Sequence, residues 1–521
     1  MGSTNHQDLH RQVPTPPAED TLYSRPSAAQ AAADVIPILV DDTYHVFHLT
    51  TPPFTRHHPP RLRSTWSRLK TKDLVNWTRD QEMVLRPGAN SSDPDADGAW
   101  TGCAVQGPDG CMNIFYTGYN LSQNGKQVIL RVVSSDANGT VFEGEAKVIT
   151  IHGDGSQYEE IDFRDPYIFF NEAEGKYWML VSRRLAAGSY WYRGCIALLT
   201  STNLDTWELD PGPLYAPSDM LCPECPEMFS LPNGKWYLVY SRFHAPNAGT
   251  VYRIADSPRG PFRIPRDGSH GRLDGRRWYA AKSCPKAGDP ERRVYFGWVG
   301  DYVDEEGKWL WGGDLGVPRE ISAGEQGYLK LEVASTYLNH LRQCSQPLSP
   351  GIGPTLDITS IGSTVNHFPK ISPQEEHLDL LVSFRLKIDA HACGVLFQHD
   401  NTGKGYTLRF EPSTSGLFSM SLLVDFPSLD DFWADQYNIH LPRPVDGPEI
   451  TRHEELDVSD GVILLLRGQV IETFCGGRSI TWRLPLPDSS NKPTGETRRL
   501  GWFVEDGSTS LSNLSVLAVK S

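Results

Sequence analysis

No stretch of the 521 residues approaches the ~20 consecutive apolar residues that a membrane-crossing helix needs. No membrane partner is therefore expected. Met1 to Asp20 is polar, contains proline and lacks an apolar h-region. Residues 1–20 read as a disordered leader without a secretory signal, which predicts a cytoplasmic location. An excess of basic charge is also missing. Lys and Arg number 49 against 64 Asp and Glu, a net charge of −15. Such a surface repels nucleic acid, so no nucleic-acid partner is expected. The nine cysteines are odd in number and follow no disulfide-scaffold spacing, which favours reduced thiols. Cys222-Pro-Glu-Cys225 has no second C-x-x-C or C-x-x-H, so no metal and no cofactor are expected.

Aromatic residues and turn formers are plentiful: 14 Trp, 20 Tyr, 39 Pro and 46 Gly, the last two spread along the chain. That spread suits many short strands joined by turns. Five segments share one layout, an apolar run, a polar turn and an aromatic-rich return. They open at Asp34, Trp100, Arg164, Glu224 and Trp278 and turn at Asp41-Asp42, Pro108-Asp-Gly, Glu174-Gly175 and Asn233-Gly234, with a longer turn in the fifth. Thr71-Lys-Asp-Leu-Val-Asn-Trp77 and Ser201-Thr-Asn-Leu-Asp-Thr-Trp207 are one phrase used twice. A four-stranded sheet fills each repeat, and five sheets set radially make a β-propeller.

The repeat stops after Leu329-Lys-Leu. The division predicted is a five-bladed β-propeller over 21–333, a linker over 334–354 with a helical stretch at Ser335–Arg342, and a β-sandwich over 355–521. The fold class is all-β.

The innermost strands of a propeller line a central channel, so the first residues of each repeat meet at one end of it. Asp34, Asp165 and Glu224 supply carboxylates at what reads as one repeat position. Like charges converging in a cleft repel, which makes a structural role a poor explanation. Glycoside cleavage uses such a set: one carboxylic acid protonates the leaving oxygen and one carboxylate attacks the anomeric carbon or activates water. A third steadies developing positive charge. Neighbouring negative charge is expected to keep the acid protonated. Arg164, Trp100, Thr101, Trp66, Cys225, Tyr279 and Trp298 are the candidate substrate-binding residues. The partner is then a small carbohydrate, and a homodimer stays open as an assembly.

These segments resemble glycoside hydrolase family 32, the invertase, inulinase and levanase group. Arg164-Asp165-Pro166 matches its R-D-P motif and Glu224-Cys225-Pro226 its E-C-P motif, while Trp100-Thr101-Gly102 is similar to W-S-G. Leu315-Gly-Val-Pro-Arg-Glu320 resembles the ending of its fifth blade and Ile471-Glu-Thr-Phe-Cys a phrase of its C-terminal sandwich. The resemblance implies a retaining β-fructofuranosidase with Asp34 as nucleophile, Glu224 as acid/base and Asp165 as transition-state stabiliser. Retention implies Asp34 and Glu224 carboxyls about 5–5.5 Å apart. The family's first motif, W-M-N-D-P-N-G, is here Ala31-Ala-Ala-Asp34-Val-Ile-Pro, so only the Asp is kept. A fructosyltransferase, an inverting family 43 arabinanase or xylosidase, and a carbohydrate-binding pseudoenzyme are the other readings.

Overall fold

The computed structural model describes residues 23–27, 30–52, 63–243, 248–300, 311–348, 354–367, 379–398, 405–413, 416–424, 450–483 and 499–519. The leader read over 1–20 lies outside them. Five strand groups follow one another, antiparallel except where Thr150–His152 pairs parallel with Thr206–Tyr215 at the outer edge of the third, and each builds outward from an inner strand: Ala32–Val40, Gly98–Gln106, Tyr158–Asn171, Glu224–Ser230 and Trp278–Lys286. Every inner strand packs beside the next, and the fifth packs beside the first, so the ring closes. This is the expected propeller, with five blades. The closure is also hydrogen-bonded. Gly313–Leu315 pairs with Asp289–Gly300 of blade 5 and, through Gly313, with Ala32 of blade 1.

The repeated phrase has a repeated physical cause. Thr71 Oγ1 accepts from the Asp73 and Leu74 amides, and Asp73 Oδ1 accepts from those of Val75 and Asn76. Ser201 and Asn203 do the same in blade 3. Leu74 and Leu204 both adopt left-handed backbone, and Trp77 and Trp207 each donate the indole N–H to that leucine's carbonyl. The local side-chain bonds replace ladder bonds at a turn. The fifth hairpin differs from its expectation. Its strands end at Lys286 and resume at Asp289, so the turn is short, with Gly288 at φ 70°.

Ser335–Cys344 is the expected helix, and Ser345–Pro347 after it pairs with the last strand of the chain. Among the described residues the C-terminal part is built of strands and their turns. Its two longest, Asp379–Gln398 and Arg499–Val519, pair along their length. The former also pairs with Val462–Arg467 near its start and Gly405–Pro412 near its end, which distributes the neighbouring strands over one apolar core containing Phe384, Leu408, Leu464 and Trp502. Arg319 clasps the two parts together. Its guanidinium pairs with Asp274 in the propeller and with Glu472 in the sandwich at 2.8 Å, and lies 3.9 Å from the ring centre of Trp278. All three ionic groups are buried. The phrases containing Arg319 and Glu472 therefore meet each other where the propeller joins the sandwich.

Candidate active site

The inner strands share a feature that their sequences do not advertise. Each carries a β-bulge at the same level: Ala33/Val35, Ala99/Gly102, Arg164/Tyr167, Glu224/Glu227 and Tyr279/Lys282. A bulge places an extra residue on one strand and re-aims its side chain. Asp34, Asp165, Cys225 and Ala280 take positive φ values there. Left-handed backbone is uncommon for non-glycine residues and is concentrated at functional sites. The register corrects one expectation. Asp34 and Asp165 are bulge residues, whereas Glu224 stands one residue earlier, at the level of Arg164 and Tyr279. The longer glutamate side chain makes up that step.

Side chains from three blades fix the carboxylates. Glu224 Oε1 accepts from Arg164 at 3.1 Å, and Oε2 accepts from the Tyr279 hydroxyl at 2.7 Å. The same guanidinium lies 3.8 Å from Asp165 Oδ2, so Arg164 bridges two acids. Asp165 Oδ2 also accepts from the Cys225 amide at 2.9 Å. The Asp165 amide donates to Thr117 Oγ1, whose hydroxyl donates to the Thr101 carbonyl, stitching blade 2 to blade 3. Asp34 Oδ1 accepts from Trp298 Nε1 at 3.0 Å. Burial first, then the charges of Asp165 and Glu224, push the Asp34 carboxyl up to about 7, against the opposing effects of Trp298 and Lys282. Burial likewise raises Asp165, with Arg164 opposing. Asp34 is thus electrostatically coupled to both other acids.

Asp34, Asp165, Glu224, Arg164, Cys225, Tyr279 and Trp298 come together. Cys225 takes part through its amide, and its buried thiol is pushed well up. Trp100 and Thr101 form the bulge of blade 2, and Trp100 stacks on Tyr119 with ring centres 4.1 Å apart. Trp66 stands apart: it is fully buried in the blade core and donates its indole N–H to the Trp100 carbonyl. It supports Trp100 from behind. Two residues escaped the sequence reading. Lys282 is buried just past the fifth bulge, donates to the Gly102 carbonyl at 2.8 Å and offsets the charge of Asp34 and Asp165. Asp162 holds Arg164 from the side away from Glu224 at 2.5 Å. Their signal was proximity to motif residues, Lys282 closing the Tyr279-Ala-Ala-Lys run and Asp162 two positions before Arg164.

The sequence model described as "Glycosyl hydrolases family 32 N-terminal domain" matches residues 36–332. The chain belongs to glycoside hydrolase family 32. The match begins just beyond Asp34, where the first motif has diverged. Among curated relatives of this family 32 chain, a levanase of Bacillus sp. (strain L7) is 29% identical over 319 residues, covering 55% of this chain and 31% of the levanase. An insoluble β-fructofuranosidase isoenzyme of Arabidopsis thaliana is 24% identical over 349 residues, covering 62% of each chain. The chain thus spans less than two thirds of the length of these relatives. Among solved structures, fructan 1-exohydrolase IIa from Cichorium intybus superposes with a TM-score of 0.68 at 17% identity, over 96% of this chain and 97% of that one. Sucrose-6-phosphate hydrolase from Lactobacillus gasseri gives 0.64 at 18% identity, over 95% and 94%. These likenesses carry the fold, a propeller followed by a sandwich.

Proposed function

We propose that this chain hydrolyses β-fructofuranosidic bonds in sucrose, fructooligosaccharides or fructans, with retention of configuration. The observation that carries the proposal is three carboxyls brought together at the bulges of neighbouring inner strands, Asp34 and Asp165 on them and Glu224 one residue before, with Arg164 bridging Asp165 and Glu224. Relatives named levanase, β-fructofuranosidase and fructan exohydrolase support the substrate class. So does the chicory exohydrolase described in complex with 1-kestose.

Glu224, oriented by Arg164 and Tyr279, donates a proton to the glycosidic oxygen as the bond breaks. Asp34 attacks the anomeric carbon from the opposite face and forms a fructosyl-enzyme ester. Asp165, held by the Cys225 amide, accepts from sugar hydroxyls and offsets the positive charge of the oxocarbenium-like transition state. Glu224, now a carboxylate, takes a proton from water, which releases fructose and restores Asp34.

The test is incubation with sucrose, inulin, levan and arabinan, followed by NMR of the first sugar released. Fructose appearing first as the β-anomer is expected. Release of arabinose from arabinan with inversion would replace this reading with the family 43-like one.

A further inference from the structure

The loop joining Lys176–Leu185 to Gly194–Ser201 in blade 3 carries three consecutive aromatics, Tyr190-Trp191-Tyr192, in a single helical turn. The loop leaves its strands at the mouth end, because Arg183 pairs with Phe163, next to Arg164. Tyr190 is 54% exposed and Tyr192 55%. Trp191 is partly buried and packs against the cluster that holds Leu221, Cys222, Phe243 and Tyr279, the last being a partner of Glu224.

Exposed tyrosines by themselves mean little. Tyr190 is held, and held by the machinery of the acid. Arg184 donates to the Tyr190 carbonyl at 3.2 Å and sets its guanidinium 4.3 Å from the Tyr190 ring centre. Arg193 lies 5.3 Å from the same ring. Both arginines pair with Glu159, at 3.0 and 2.6 Å. Arg184 also reaches Asp162 at 3.4 Å, Asp162 holds Arg164, and Arg164 holds Glu224. A continuous chain of ion pairs therefore runs from the aromatic turn to the acid. Ring faces fixed beforehand lose little entropy when a ligand stacks on them.

We infer that Tyr190 and Tyr192 form a sugar-stacking platform for the leaving-group side of an oligosaccharide. This inference rests on the fructosidase reading. In that reading Glu224 protonates the leaving oxygen, so the rest of the chain departs on the Glu224 side, where the turn stands. Flat C–H faces of the second and third sugar units would lie on the two phenol rings. A disaccharide reaches the platform with one unit at most, so the platform favours longer fructans over sucrose.

The experiment compares kcat/KM for a fructan tetrasaccharide with that for sucrose. Tyr192→Ala should lower this ratio about three- to tenfold, as loss of the ring under the third sugar unit implies, whereas Tyr190→Ala, under the second unit that sucrose also has, should lower both rates. The two Phe variants should keep the ratio. Tyr192→Ala is the cleaner variant, because Tyr190 also contacts Arg184 and could disturb Arg164. A wild-type ratio in Tyr192→Ala overturns the platform and leaves the fructosidase reading standing. If the wild-type chain cleaves no fructoside, binding of the tetrasaccharide to Glu224→Gln, with and without Tyr192→Ala, decides. Binding weakened about threefold or more keeps the platform while the fructosidase reading falls. Unchanged or absent binding removes both.

Discussion

The indole N–H of Trp298 donates to Asp34 Oδ1 at 3.0 Å, joining the second strand of blade 5 to the bulge of blade 1. Trp298 pairs with Tyr279 on one side and Leu315 on the other, and Leu315 ends the short strand that closes the ring. Ring closure and orientation of the proposed nucleophile thus depend on the same few residues. The divergent residues around Asp34 matter less once its carboxyl is positioned from another blade.

A pH dependence follows. Asp34 attacks only when ionised, and its carboxyl sits at about 7. kcat/KM should therefore rise through about pH 7 as Asp34 ionises. Trp298→Phe removes a hydrogen bond to the ionised form, worth roughly 1.5 kcal/mol or more, about one pH unit. The acidic limb should move up by that amount, so the variant loses about tenfold more activity at pH 6 than at pH 9. Parallel wild-type and mutant profiles would show that the limb belongs to another group.

Glu224 and Glu227 are three residues apart and separate cleanly by role. Glu224 faces Arg164 and Tyr279 in the channel. Glu227 is fully buried between blades 4 and 5, accepting from the Ser283 amide and hydroxyl and pairing with Arg293 at 3.2 Å. Glu224→Gln should abolish turnover of unactivated fructosides with an unchanged melting temperature. Glu227→Gln should leave chemistry largely intact but cost about 3 kcal/mol or more, because Arg293 keeps its charge without its anion. Melting curves and initial rates on both variants check this, and the reverse pattern would reassign the acid.

Much of this architecture was readable because strand, turn and motif coincide. Asn233-Gly234 marks a hairpin between strands that end at Ser230 and resume at Trp236. The Arg164 and Glu224 motifs carry chemistry at the start of inner strands, and the spacing of repeats places them together. The bulges were not readable, because an extra residue in a strand is defined by its partner's register, which a single segment does not contain. For that reason Glu224 seemed level with Asp165. Arg319 and Glu472 stand in two unrelated motif phrases of the sequence, yet they are halves of one buried ion pair formed 153 residues apart. Trp66 reads in sequence as a binding residue because tryptophans in the core and at the mouth look alike there.

Asp34 should also set a pH-dependent stability cost. In the unfolded chain its carboxyl ionises near the ordinary 3.8, and in the folded protein near 7. Below the lower value it is protonated in both states and costs nothing. As pH rises to about 7 the unfolded state loses its proton first, so stability falls, and the loss is complete above 7. The size is on the order of 2–3 kcal/mol for a carboxyl that keeps some solvent access. Asp34→Asn should melt higher than wild type at pH 8, while the two coincide near pH 4. An equal difference at both values would mean that the gain is unrelated to ionisation.

The nucleophile assignment itself admits a sharper chemical test. An amide is a far weaker nucleophile than a carboxylate, so Asp34→Asn should also form no fructosyl-enzyme. Asp34→Ala goes further, because it removes the carboxylate and opens room at the first bulge. Azide entering that space would attack the anomeric carbon from the face Asp34 used, while Glu224 still protonates the leaving oxygen. The expected product is an α-configured fructosyl azide, inverted relative to the β-fructoside, and turnover should rise with azide concentration. Glu224→Ala behaves differently if it is the acid/base: with a substrate whose leaving group needs no proton, the fructosyl-enzyme forms, and azide then intercepts it to give the β-azide. The two variants thus give azides of opposite configuration, and NMR of the anomeric carbon tells them apart. A β-azide from Asp34→Ala, or no rescue together with net inversion by the wild-type protein, would remove the nucleophile role from Asp34.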